Sequence, residues 1–216
     1  MTSQWLRTTR QVGAALFILI GTIVIGACSA AAESQPMNWH AQSGKEGPVA
    51  DGAVGRLTRS DGGLSFDIAT ESLQPNHAYT IWLVIVNEPA ACSKQPCPAP
   101  DILQNPASDS QVVFGAGAVA DANGKATFKG EAKKGPLPEG WLAGGELKKP
   151  LTAQVHLVVN SHGPVIEGYM PDMTETYRAG CVDAGLPEVF PETAKSDGRP
   201  GPNTCQLYQV AVFPGG

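Results

Sequence analysis

From about residue 52 onward the hydrophobic positions recur with a period of two. Leu64, Phe66 and Ile68 alternate with polar neighbours, which predicts a strand with one buried face. Residues 77–86, HAYTIWLVIV, are apolar on both faces and rich in β-branched and aromatic side chains. Such a run, stopped by Asn87-Glu88-Pro89, predicts a central strand. Residues 112–120 and 125–130 flank Asp121-Ala122-Asn123-Gly124, whose turn residues predict a hairpin. In residues 151–159, LTAQVHLVV, Leu151, Ala153, Val155, Leu157 and Val159 share one side, and residues 206–213 supply a last strand. With 25 Gly and 18 Pro, long helices have little room; only 101–103 and 172–178 predict short helical turns. About seven strands separated by turn signals predict an all-β fold, a Greek-key β-sandwich with long Pro/Gly-rich loops.

The N-terminus follows a different pattern. Arg7 and Arg10 precede residues 12–27, VGAALFILIGTIVIGA, in which Thr22 is the one polar side chain. A basic start, an apolar run and small residues at its end form a secretory signal. The run is shorter than the roughly 20 apolar residues of a membrane-crossing helix. Its end, Ile25-Gly26-Ala27-Cys28, resembles the lipobox of bacterial lipoproteins, although Leu is more usual where Ile25 stands. The resemblance implies cleavage before Cys28 and a diacylglyceryl group on its sulfur, an anchor whose strength comes from two or more buried acyl chains. Ser29-Ala30-Ala31-Ala32 offers the alternative of ordinary signal cleavage and a secreted soluble protein. Residues 28–48, small, polar and unpatterned, are expected to be a lipidated flexible tether, with the folded domain at 49–216. Trp39 is the odd residue in that tether, suited either to docking on the domain or to a lipid interface.

Charge and cysteines narrow the setting. Removing Arg7 and Arg10 from the 15 Lys and Arg leaves 13 against 20 acids, a net charge of −7 after residue 27. That balance provides no basic footprint for nucleic acid, so contact with the membrane is expected through the anchor. Five cysteines is an odd number for an exported chain; assigning Cys28 to lipid leaves Cys92, Cys97, Cys181 and Cys205. Three pairings are possible, and Cys92–Cys97 with Cys181–Cys205 is favoured because each closes a segment dense in Pro and Gly. A four-cysteine zinc site would need two close pairs, and the spacing from 181 to 205 is too long.

Residues 77–97 and 153–164 (AQVHLVVNSHGP), with the C-terminal cysteine pair, resemble a group of bacterial exported β-proteins of unassigned function. VHLVVNSHGP also has a fainter likeness to sandwich domains related to copper–zinc superoxide dismutase, a likeness of fold alone. Candidate chemistry is sparse. His156 lies mid-strand opposite Val155 and Leu157, and His162 lies in Asn160-Ser161-His162-Gly163-Pro164, which reads as a turn. On a straight strand the two would stand about 20 Å apart; only a reversal at Asn160-Ser161 brings them together. With Met170 and Met173 they would then offer soft ligands to Cu(I), against the plainer reading of hydrogen-bonded and packing side chains. No nucleophile elbow, phosphate loop, zinc-protease motif or dinucleotide fingerprint is present. The expectation is therefore a membrane-anchored binding or structural module without a cofactor, with a copper-handling or other enzymatic domain as the alternative.

Overall fold

The computed structural model describes residues 32–216 except 46, 48, 50, 51, 139, 143, 144 and 183–189. The signal segment and Cys28 lie outside the described residues. The first sheet has four strands in the order β1 (Ala32–Pro36), β3 (Val54–Ser60), β4 (Gly63–Thr70) and β7 (Ala126–Lys133). The second has five, in the order β2 (Asn38–Trp39), β11 (Gln206–Phe213), β10 (Gln154–Pro164), β5 (His77–Val86) and β6 (Ser110–Val119). All neighbours are antiparallel. A short ribbon, β8 (Gly135–Pro136) with β9 (Glu146–Leu147), stands apart. The helices α1 (Ala99–Gln104), α2 (Asp172–Glu175) and α3 (Glu192–Lys195) are brief. Among the described residues no helix is long and apolar enough to cross a membrane.

The all-β sandwich expected from the pattern is present. Its core lies between the sheets, where Leu64, Phe66 and Ile68 of β4 meet Ile81, Leu83 and Ile85 of β5 and Val155, Leu157 and Val159 of β10. Alternation drives this: side chains on a strand point to opposite faces, so one set is removed from water at about 25 cal/mol per Å² of apolar surface. Arg59 fastens the rim. Its guanidinium pairs with Glu33 and donates to the carbonyls of Pro150 (3.1 Å), Ala153 (2.6 Å) and Pro214 (3.2 Å), tying β1, the approach to β10 and the C-terminus together.

Three expectations are corrected. Residues 121–124 do form a tight turn, with the Asp121 carboxylate accepting from the Asn123 and Lys125 N–H groups. The strands it joins are nevertheless not a hairpin, because β6 pairs with β5 and β7 with β4. The turn carries the chain from one sheet to the other. Gly115 and Gly130 allow this close crossing: a Cβ on Gly130 would sit 2.6 Å from the Gly115 carbonyl oxygen. Next, the tether does not extend to residue 48. β1 pairs with β3 from Ala32 to Pro36, Met37 is fully buried, and Trp39 packs edge-on against Tyr208 at 5.3 Å with the Lys45 ammonium 4.2 Å from its ring centroid. Met37 and Trp39, two apart, send both side chains to the domain. Finally, residues 160–164 are not a turn. β10 runs on through them, paired with β5 as far as Pro164, with one irregularity between Ser161 and Gly163.

Both expected cysteine pairs are bonded. Cys92 meets Cys97 and Cys181 meets Cys205, each with Cα atoms 5.4 Å apart, inside the range a disulfide spans.

Candidate functional site

The outward face of β5 carries Trp82, Val84 and Val86. In an antiparallel sandwich such a face is commonly left to water. Here it is roofed. The Cys92–Cys97 loop leads into α1, whose Ile102 packs down onto the sheet, and Trp141 and Phe190 close over Trp82 from the far side. Trp82 and Trp141 have ring centroids 3.8 Å apart at 68°, and Trp141 meets Phe190 edge-on at 5.1 Å.

Between roof and sheet lies a cavity of about 250 Å³. Trp82, Val84, Val158, Ile102, Trp141 and Phe190 form much of its wall, and His40 and His156 supply its imidazoles. Among the described residues its lining contains no Ser, Thr, Cys, Asp, Glu, Lys or Arg. A larger recess of about 710 Å³ lies beyond Trp141, bordered by Pro136, Pro138 and Pro191. It shares Trp141 and, among the described residues, adds no histidine.

The hydrogen bonds around the cavity fix the state of both imidazoles. The Cys97 backbone N–H donates to Gln154 Oε1 at 3.2 Å, which leaves the Gln154 amide nitrogen to donate to His156 Nε2 at 2.6 Å. An imidazole nitrogen that accepts carries no proton, so neutral His156 bears its hydrogen on Nδ1. Burial lowers the His156 pKa to about 4, keeping the ring neutral near neutral pH. His40 is the mirror case. Its Nδ1 accepts from the Gln42 N–H at 3.2 Å, which places the hydrogen on Nε2, and burial again lowers its pKa. The indole N–H groups of Trp82 and Trp141 are buried and have no hydrogen-bond partner among the described residues. Each such unmade bond costs about 1–3 kcal/mol.

The residues considered for copper do not assemble. Because β10 continues without reversing, His156 and His162 remain six positions apart on one strand. His156 faces the cavity. His162 is fully buried farther along, its Nδ1 donating to the Ala179 carbonyl and its Nε2 accepting from Thr80 Oγ1, both at 2.8 Å. Met173 is buried with Ala78 and Ala179 and accepts from the Ile166 N–H, whereas Met170 is exposed. A different trio, His162, Cys181 and Cys205, has its potential ligand atoms within 4.8 Å of one another. The two sulfurs are bonded to each other and the imidazole is satisfied on both nitrogens, so the trio has the donors of a metal site in a form that holds none.

Apart from His156, the sequence pattern does not single out the residues that build the cavity. One signal pointed to them: residues 77–86 are apolar on both faces, which requires a cover on the outer side. Aromatic residues outside the strands, Trp141 and Phe190, supply it. Compared with protein-family models, with curated proteins and with solved structures, the chain matches none.

Proposed function

We propose that this chain is an extracytoplasmic lipoprotein, anchored through Cys28, whose sandwich domain binds a small apolar molecule in the roofed cavity. The observation that carries the binding assignment is the cavity itself. It is apolar, walled by aromatic rings, and left as open space between the outer sheet face and the segments that cover it. Ligand sites typically have about 300–1,000 Å³, so a cavity of about 250 Å³ fits a compact ligand. Apolar cavities of about 150 Å³ take up benzene. Catalysis is the weaker reading because the described lining residues offer no nucleophile or carboxylic acid, and an imidazole with its pKa lowered to about 4 is a feeble base at neutral pH.

Titration of the purified protein with α-methylstyrene, followed by tryptophan fluorescence, tests the reading. Saturable quenching is expected, and Val210→Phe, which fills the cavity from β11, should abolish it while the melting temperature holds. An unresponsive wild-type protein would remove the binding assignment. The anchor is tested separately: Cys28→Ser should move the protein from the detergent phase to the aqueous phase, and a native mature N-terminus beyond Cys28 would refute lipidation.

A further inference from the structure

The Cys181–Cys205 crosslink has a third neighbour. His162 Nδ1 and the Ala179 carbonyl oxygen each lie 3.8 Å from Cys181 Sγ, and the donor atoms of His162, Cys181 and Cys205 fall within 4.8 Å of one another. A tetrahedral zinc ion, bonded at about 2.3 Å to sulfur and about 2.0 Å to nitrogen, sets those two ligands about 3.5 Å apart. The frame around the trio is held by bonds other than the S–S bond. The Asn203 side-chain amide donates to the His162 and Pro164 carbonyls, both at 2.8 Å, and its backbone N–H donates to the Gly180 carbonyl at 2.9 Å. The Val182 N–H donates to the Asn203 carbonyl and the Gly201 N–H to the Cys181 carbonyl, both at 2.9 Å. Together they fix the His162 end of β10 against the segments that carry both cysteines.

We propose that this crosslink is the closed form of a metal site, and that its reduced form binds a divalent thiophilic ion, zinc, through His162 Nδ1 and the sulfurs of Cys181 and Cys205. The site is separate from the cavity and does not depend on the binding assignment. Opening is thiol–disulfide exchange: a dithiol reductant gives two hydrogens to the sulfurs of Cys181 and Cys205 and closes its own disulfide. Cys205 is only partly buried, which admits the attacking thiolate. The same two thiols exist in any chain whose crosslink has not yet formed. Zinc then displaces the two thiol protons. Two thiolates cancel the charge of a divalent ion, which suits it to a place where His162 and Cys181 are almost wholly removed from solvent. The imidazole changes tautomer as it binds. Its hydrogen passes from Nδ1 to Nε2, where Thr80 Oγ1, 2.8 Å away, turns from donor to acceptor. Such a bond on the far nitrogen is the usual support of a metal-bound histidine. The Asn160 amide keeps its contact with the Tyr177 carbonyl, and the Ala179 carbonyl, 2.8 Å from Nδ1, is freed as a fourth donor.

The test uses the full chain with Cys28→Ser, Cys92→Ala and Cys97→Ala, so that Cys181 and Cys205 are its remaining cysteines. A phosphine reduces it, taking oxygen from water as the S–S bond becomes two thiols, and leaves no competing thiol in solution. Zn(II) is titrated in competition with a chromophoric chelator, Co(II) is followed by its absorption, and melting curves verify the fold. The reduced protein should bind a single equivalent, with the thiolate-to-cobalt charge transfer of a tetrahedral site, and the oxidised protein none. Zinc should accordingly raise the melting temperature of the reduced protein alone. Thr80→Val, which leaves all three ligands in place, should weaken Kd about tenfold, and His162→Gln should weaken it further. A reduced protein that takes up no zinc, an oxidised protein that takes up as much, or a folded His162→Gln that binds as tightly as its parent would overturn the site. So would a protein that unfolds on reduction and is not refolded by zinc.

Discussion

Acidification should destabilise this domain through His162, beginning near pH 6.5, above the range in which ordinary carboxylates titrate. The imidazole is fully buried in β10 with both nitrogens engaged: Nδ1 donates to the Ala179 carbonyl, and Nε2 accepts from Thr80 and lies 3.3 Å from the Asn160 amide nitrogen. A proton on Nε2 would turn an acceptor into a donor facing the Asn160 N–H. It would also bury a cation near Arg178. Burial is the largest cause of a pKa lowered to about 4, opposed by the Ala179 hydrogen bond and reinforced by the Arg178 charge. The unfolded chain binds the proton near 6.5, so between those values it holds more protons than the native state. Stability therefore rises with pH across that window: the contribution is complete above about 6.5 and is lost as pH falls through about 4. The gap, at about 1.4 kcal/mol per unit, amounts to about 3 kcal/mol. Urea unfolding at a series of pH values from 7 to 4.5, run in a His156→Leu background because burial lowers that imidazole as well, reads this, and an NMR titration of the imidazole C–H assigns it. A flat stability profile, or a His162 signal titrating near 6.5 in a folded protein, would refute the reasoning.

Two further outcomes concern the frame. Replacing Cys181 and Cys205 together by Ala opens a crosslink of sequence separation 24; the loop-entropy relation gives about 3.5 kcal/mol, a fall in melting temperature on the order of 10 °C, and a calorimetric scan with no change would show that the loop is held by packing alone. Arg59→Met removes charged donors from three carbonyls, and should cost about 2–3 kcal/mol in urea unfolding, with Arg59→Lys recovering little because an ammonium lacks the planar fork; full recovery by Lys would mean that charge alone matters there.

What could be read in the sequence depended on whether the information was local. Alternation in Leu64, Phe66 and Ile68 and the two-sided apolar run at 77–86 follow from the side chains of single strands, and both became sheet elements with the expected faces. Pairing partners are not local. Residues 121–124 form the turn their chemistry dictates, yet β6 and β7 separate because each finds a different neighbour, β5 or β4. The stretch 160–164 looks like a turn from Asn, Ser, Gly and Pro, but Asn160 and Ser161 are held in the ladder by β5 on one side and β11 on the other. The cavity was least legible. His156 was noticed as a histidine, whereas its partner Gln154 and the aromatic cover at Trp141 and Phe190 come from segments whose meeting depends on loop paths. Residues 32–39 were misread for the opposite reason: their composition is tether-like, and only Met37 and Trp39 reveal that the segment completes both sheets.

The central claim is that the space between Trp82, Trp141 and His156 is where a ligand sits. Indole N–H resonances of ¹⁵N-labelled protein, assigned with Trp82→Phe and Trp141→Phe, report on that space without an activity assay. On addition of α-methylstyrene the signals of Trp82 and Trp141 should shift together and saturate, because both rings line the cavity. Trp39, whose ring packs on Tyr208 and does not line the cavity, should shift less than either. Unchanged Trp82 and Trp141 signals at saturating probe, or an equal shift of Trp39, would contradict the account.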